Sequence, residues 1–154
     1  MANYTATDIK NLREETGAGM MDCKKALDEA NGDFAKAKEL VFQRGLAKAE
    51  KKSDRETKIG FIASYVHTNH QVAALVEILC ETDFVARNDE FQTMAKEVAM
   101  QVTAMNPESV DELLAQETLK NPSITVQDLV KSLSGKIGEK FVISRFTRYQ
   151  VGGE

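Results

Sequence analysis

The residues able to do chemistry are few, and they are scattered. His67 and His70 stand three apart, and with Glu77 they form a set that would make a metal centre only by converging. No acidic or cysteine partner falls at ligand spacing beside the two histidines, so turn residues are the plainer reading. Cys23 and Cys80 lie far apart in apolar-periodic segments. They read as buried free thiols of a reducing compartment rather than a disulfide or a Cys-x-x-Cys site. Gly17-Ala18-Gly19 opens a helical pattern, where free amide groups attract anions. A phosphate loop also needs an upstream strand and, in its commonest form, a Lys-Ser or Lys-Thr pair. Both are absent, which favours a turn. No serine, cysteine or histidine has an evident base and orienting partner. The chemistry therefore points to binding, with no catalytic residues and no metal or cofactor site.

One stretch does offer a binding feature: Thr82 to Asp89, T-D-F-V-A-R-N-D. It follows an apolar run, Val72 to Cys80, that reads as a strand, and it precedes a helical pattern capped by Asn88. Phe84 and Val85 thus fall on a short connection, and connections run over the surface. Exposed apolar area costs roughly 25 cal/mol per Å². Either Phe84 folds back into its own core or it meets a partner.

The elements that must position this stretch follow from periodicity. Residues 4–46 read as three short helices. Thr7 or Thr5 caps the first, Met20, Cys23, Leu27 and Ala30 share a face of the second, and Asp33 caps the third above Phe34, Ala37, Leu40 and Val41. Residues 47–58 mix charges without an apolar stripe and read as a linker at a domain boundary. Ile59 to Tyr65 and Val72 to Cys80 alternate around Thr68-Asn69-His70, which predicts a hairpin. Beyond Asn88 a helix buries Phe91, Met94, Ala95, Val98 and Val102, and Pro107 stops it. Ser109 with Glu112 and Thr125 with Asp128 predict two further capping boxes. A last strand, Phe141 to Val151, slips its alternation between Ile143 and Phe146, as a bulge would. The fold class is α+β: a three-helix module over residues 1–46, then a core domain over residues 59–154 with a three-stranded antiparallel sheet.

Composition sets the remaining bounds. The 154 residues suit one ordinary domain or two small ones, and 42% hydrophobic residues can supply a core. The 20 Lys and Arg against 24 Asp and Glu give a net charge of −4, which argues against nucleic acid as a direct ligand. No apolar run approaches the ~18 residues of a membrane span, and the N-terminus reads as no signal segment. A cytoplasmic location, with no membrane contact, is the expectation. The unprotected edge of the last strand invites pairing, so a homodimer through the α+β domain is the expected assembly.

Two runs carry a resemblance. Thr16-Gly17-Ala18-Gly19-Met20-Met21-Asp22-Cys23-Lys24-Lys25-Ala26-Leu27 and Thr82-Asp83-Phe84-Val85-Ala86-Arg87 closely resemble, in order, the two signature stretches of the elongation factor Ts family. The resemblance spans about Ala6 to Val151. It implies an N-terminal unit like a ubiquitin-associated module, in agreement with the three helices above. Longer members carry two core lobes and a coiled coil, so this chain resembles a short, single-lobe form. The activity implied is guanine nucleotide exchange on elongation factor Tu, which is not covalent catalysis. Thr82, Asp83, Phe84 and Val85 would form the wedge. Asp83 and Phe84 would enter beside the nucleotide site, while Arg13, Met20 and Met21 dock on the GTPase domain. No cofactor is implied, because magnesium and GDP or GTP belong to the partner. An adaptor for a ubiquitin-like partner is the alternative if the helical module acts alone.

Overall fold

A computed structural model describes residues 3–153 of the chain. Three helices come first: α1 (Ala6–Thr16), α2 (Met20–Glu29) and α3 (Phe34–Glu50). Thr5, not Thr7, caps α1. Its hydroxyl accepts from the Asp8 amide while the Asp8 carboxylate accepts from the Thr5 amide, a reciprocal box that satisfies two free helix-end donors. Gly17 ends α1 in the left-handed conformation, φ 66°, which glycine adopts without a Cβ penalty. Leu12, Cys23, Ala26, Leu27, Ala37 and Val41 form the module's own core.

The third helix runs to Glu50, so the first four residues of the segment read as a linker are helical. Ala47, Lys48, Ala49 and Glu50 are good helix formers. The helix also has a partner beyond the module, α7 (Val126–Ile137). The two backbones meet at glycine: a Cβ on Gly135 would lie 2.0 Å from the Gly45 carbonyl oxygen. An ion pair between Lys131 and Glu50 closes the same crossing.

The core domain holds a sheet in the order β1-β2-β3, with β1 (Ile59–Val66), β2 (Val72–Cys80) and β3 (Val142–Gln150), antiparallel throughout. The register of β2 on β3 shifts between Glu77 and Ile78, leaving Ser144 as the extra residue of the expected bulge. One sheet face, with Ala63, Ala74, Val76 and Ile78, packs on α5 (Asp89–Met105). Phe91 of α5 is fully buried and meets Phe141 edge-on at 4.8 Å between ring centres. The opposite face leaves Ile62, Val66 and Leu75 exposed.

Between α5 and α7 lies the short α6 (Val110–Ala115). Only half of the box expected there forms. The Ser109 hydroxyl accepts from the Glu112 amide, but the Glu112 carboxylate accepts from the Glu108 amide rather than from Ser109. At α7 the box between Thr125 and Asp128 is complete. No helix of the described residues is long and apolar enough to cross a membrane.

Candidate functional site

The stretch read as a plain connection contains one turn of helix, α4 (Asp83–Ala86). Thr82 starts it: its backbone is extended and its hydroxyl accepts from the Val85 amide at 3.4 Å. Two bonds close the turn, from the Ala86 amide to the Thr82 carbonyl and from the Arg87 amide to the Asp83 carbonyl, both 3.2 Å. The Gln92 side chain then donates to the Ala86 carbonyl at 3.0 Å. Asn88 caps α5 through the Phe91 amide at 3.1 Å, so only Arg87 and Asn88 separate α4 from the next helix.

This single turn has two faces. Val85 and Ala86 point inward, each 9% exposed, and join the core cluster. Phe84 points out and is 82% exposed. Of the four residues expected at the wedge, Asp83 and Phe84 are therefore on the surface, Thr82 is half-buried as the cap, and Val85 is part of the foundation. Asp83 is held by Arg87 at 3.0 Å on the exposed side. Such an exposed pair contributes at most about 1 kcal/mol.

Acidic residues support the turn from behind. Glu139, just beyond the C-terminus of α7, accepts from the Glu81 and Thr82 amides at 3.0 Å each and from the Thr82 hydroxyl at 2.6 Å. Glu81 in turn accepts from the Lys140 amide at 2.8 Å and from Arg55 at 3.3 Å. Arg55 also donates to the Gly138 carbonyl at 3.2 Å, so the charged segment is tied to the site rather than free in solvent. The Cys80 thiol, fully buried beneath, donates to the Thr82 carbonyl at 3.2 Å. Burial foremost, with the Glu139 charge next, pushes it up to about 11.

The other signature stretch spans the end of α1 and most of α2. Met20 and Met21 begin α2 and are 58% and 63% exposed, so Met20 does not join Cys23 and Leu27 in the module's core. Arg13, near the end of α1, is also exposed. Lys136 of α7 links the end of α1 to α5: its side chain lies over Gly17, and its ammonium donates to Glu90 at 2.5 Å. Thr16, Glu90 and Lys136 border a common depression.

Other arrangements are spent on structure. The start of α2 has no side-chain cap, but the lysines around its cavity of about 270 Å³ are paired, Lys38 with Glu15 and Lys48 with Asp22. The hydrogen bond from Lys48, at 2.6 Å, holds the Asp22 carboxyl below its usual range. His67 contacts the Tyr65 hydroxyl at 3.1 Å, and Glu77 accepts from Ser144 and Arg145 on the far face of the sheet. Among the described residues no three His, Cys, Asp or Glu side chains gather to hold a metal ion. Glu139, Lys136 and Arg55 carry no local signal of a role. Their contacts with the wedge region span 57, 46 and 26 positions of sequence, a distance at which periodicity and capping patterns are silent.

Comparison with known proteins places the chain among relatives of one family. The family model for elongation factor TS matches residues 81–154. Elongation factor Ts of Prochlorococcus marinus (strain AS9601) is 41% identical over 198 aligned positions, covering 99% of this chain and 91% of that protein. Elongation factor Ts of Oleidesulfovibrio alaskensis is 39% identical, covering 99% of this chain and all of its own length. That of Fervidobacterium nodosum is 39% identical, with 96% and 98% covered. An alignment of 198 positions against 154 residues means that the Prochlorococcus relative has segments without a counterpart here. With nearly the whole chain matched at this identity, it belongs to the elongation factor Ts family of translation elongation factors.

Proposed function

We propose that the chain is a guanine nucleotide exchange factor for elongation factor Tu, and that it acts by binding alone. The carrying observation is Phe84: a large aromatic side chain, 82% exposed, on a turn whose remaining residues are buried or hydrogen-bonded. An aromatic ring in water on a rigid mount is the form of an interface anchor. Asp83 beside it carries a negative charge into the same contact. Exposed Met20, Met21 and Arg13 offer a second contact from the helical module, and unbranched methionine adapts well to irregular protein surfaces.

Exchange follows from linkage. A factor that binds nucleotide-free GTPase more tightly than the GDP-bound form must weaken GDP by the same factor that GDP weakens it. The wedge supplies the difference if Asp83 and Phe84 occupy space beside the nucleotide site that the GDP-bound form closes. The module holds the wedge at high local concentration. Magnesium and nucleotide are bound by the partner, no covalent step occurs on this chain, and the setting is the translating cytoplasm.

The same reading includes a homodimer through the α+β domain. The edge strand β3 and the outward sheet face with Ile62, Val66 and Leu75 are the surfaces that favour it.

Calorimetric titration into elongation factor Tu with and without saturating GDP tests the linkage. Tighter binding to the nucleotide-free form is expected. Equal affinities would leave nothing to drive release, and the reading would fail.

A further inference from the structure

We propose that Glu139 is the positioning residue of the wedge, setting the direction in which Phe84 points. The inference rests on the exchange reading of Phe84 and adds the group that aims it. Phe84 has no cover of its own, so its direction is inherited from the turn that carries it. That turn begins where strand pairing has ended: β2 stops at Cys80 and α4 starts at Asp83. The amides of Glu81 and Thr82 in between would lack partners. One oxygen of the Glu139 carboxylate accepts both, at 3.0 Å. Its other oxygen accepts the Thr82 hydroxyl proton at 2.6 Å. That proton is thereby directed away from α4, which leaves a hydroxyl lone pair for the Val85 amide, the bond that starts the turn. A single carboxylate thus fixes the backbone and the rotamer of the residue immediately before Asp83 and Phe84, through bonds strengthened by its charge.

Glu139 is itself held. Its carbonyl accepts from Ser134 of α7 at 2.5 Å, and it follows the left-handed Gly138 that ends that helix. Since α7 is the helix on which α3 docks, the carboxylate ties the wedge to the frame that carries the N-terminal module. Such support lowers the ordering cost on binding, since the anchor is already aimed.

The test is a double-mutant cycle on the release of fluorescent GDP from elongation factor Tu, with maximal rate and half-saturation measured separately. Glu139→Ala and the milder Glu139→Asp are each made with Phe84 present and with Phe84→Ala. Glu139→Ala is expected to lower the maximal rate at least ~10-fold with Phe84 present and less than ~3-fold without it, the non-additivity of residues acting as one unit. Glu139→Asp should lie between wild type and Glu139→Ala. If Glu139→Ala fails to fold, the Glu139→Asp cycle decides, together with hydrogen exchange at the Glu81 and Thr82 amides, which should lose protection as the rate falls. Equal losses with and without Phe84, or no loss at all, would reduce Glu139 to a structural residue and overturn the inference. A Phe84→Ala variant that exchanges like wild type would instead bring down the reading of Phe84 beneath it.

Discussion

Replacing Phe84 by alanine separates binding from folding, because its ring is 82% exposed while the turn beneath it is anchored. An aromatic side chain buries on the order of 150 Å² when fully covered. At roughly 25 cal/mol per Å² that is about 4 kcal/mol. With Phe84 82% exposed in the free protein, nearly all of this is left for a partner. Association costs reduce the sum, so a loss of at least ~2 kcal/mol is expected, equal to about a thirtyfold fall in affinity or rate. The free protein should hardly notice. An exposed substitution moves stability by about 0.5 kcal/mol or less, and alanine is the better helix former. Phe91 provides the contrast, since it is fully buried against Phe141, and Phe91→Ala should cost about 3–5 kcal/mol of stability. The assays are GDP release from elongation factor Tu across a concentration series and thermal melting of each variant. A Phe84→Ala protein that melts like Phe91→Ala would make Phe84 a core residue, and one that exchanges like wild type would make it no anchor.

At the helix crossing, Gly135→Ala places a methyl group 2.0 Å from the Gly45 carbonyl. The overpacking, about 1–3 kcal/mol, should outweigh the ~1 kcal/mol that alanine gains over glycine within a helix. A lower melting temperature and weaker exchange are expected; a more stable variant would mean that α3 and α7 do not dock. Cys80 makes a pH prediction: its folded value is raised above the ordinary thiol value near 8.5, so its contribution is fully present below that pH and is lost as pH climbs toward about 11. Urea midpoints of wild type and Cys80→Ala should converge across that window, and parallel profiles would contradict the shift. For assembly, light scattering should give twice 17.1 kDa in the micromolar range, and a mass that stays at 17.1 kDa with exchange intact would rule out the dimer.

What the sequence made legible was local. The box at Thr125 shows because its partners lie three residues apart, whereas the cap of α1 stayed open between Thr5 and Thr7, and the hairpin shows because alternation is written along each strand. The bulge appears as a slip of that alternation between Ile143 and Phe146, which the register narrows to Ser144. The extension of α3 was hidden for a physical reason. Its docking uses the backbones of Gly45 and Gly135, and glycine leaves no apolar stripe to count. Helical spacing placed Met20 with Cys23 and Leu27, yet Met20 sits at the open first turn of α2, where its side chain stays in water. At the wedge, the motif located Phe84 but could not divide it from Val85. One buried and one exposed side chain within a single helical turn is a property of how α4 meets the core. Glu139 and Lys136 were illegible because their partners are distant in sequence.

An exchange factor speeds GDP release without consuming anything. The direct measurement is stopped-flow mixing of the chain with elongation factor Tu carrying fluorescent GDP, chased by excess unlabelled GDP. The release rate is expected to rise with the concentration of the chain to a plateau, with one chain serving many GTPase molecules. A release rate equal to that of elongation factor Tu alone at every concentration, from a protein shown to be folded, would contradict it.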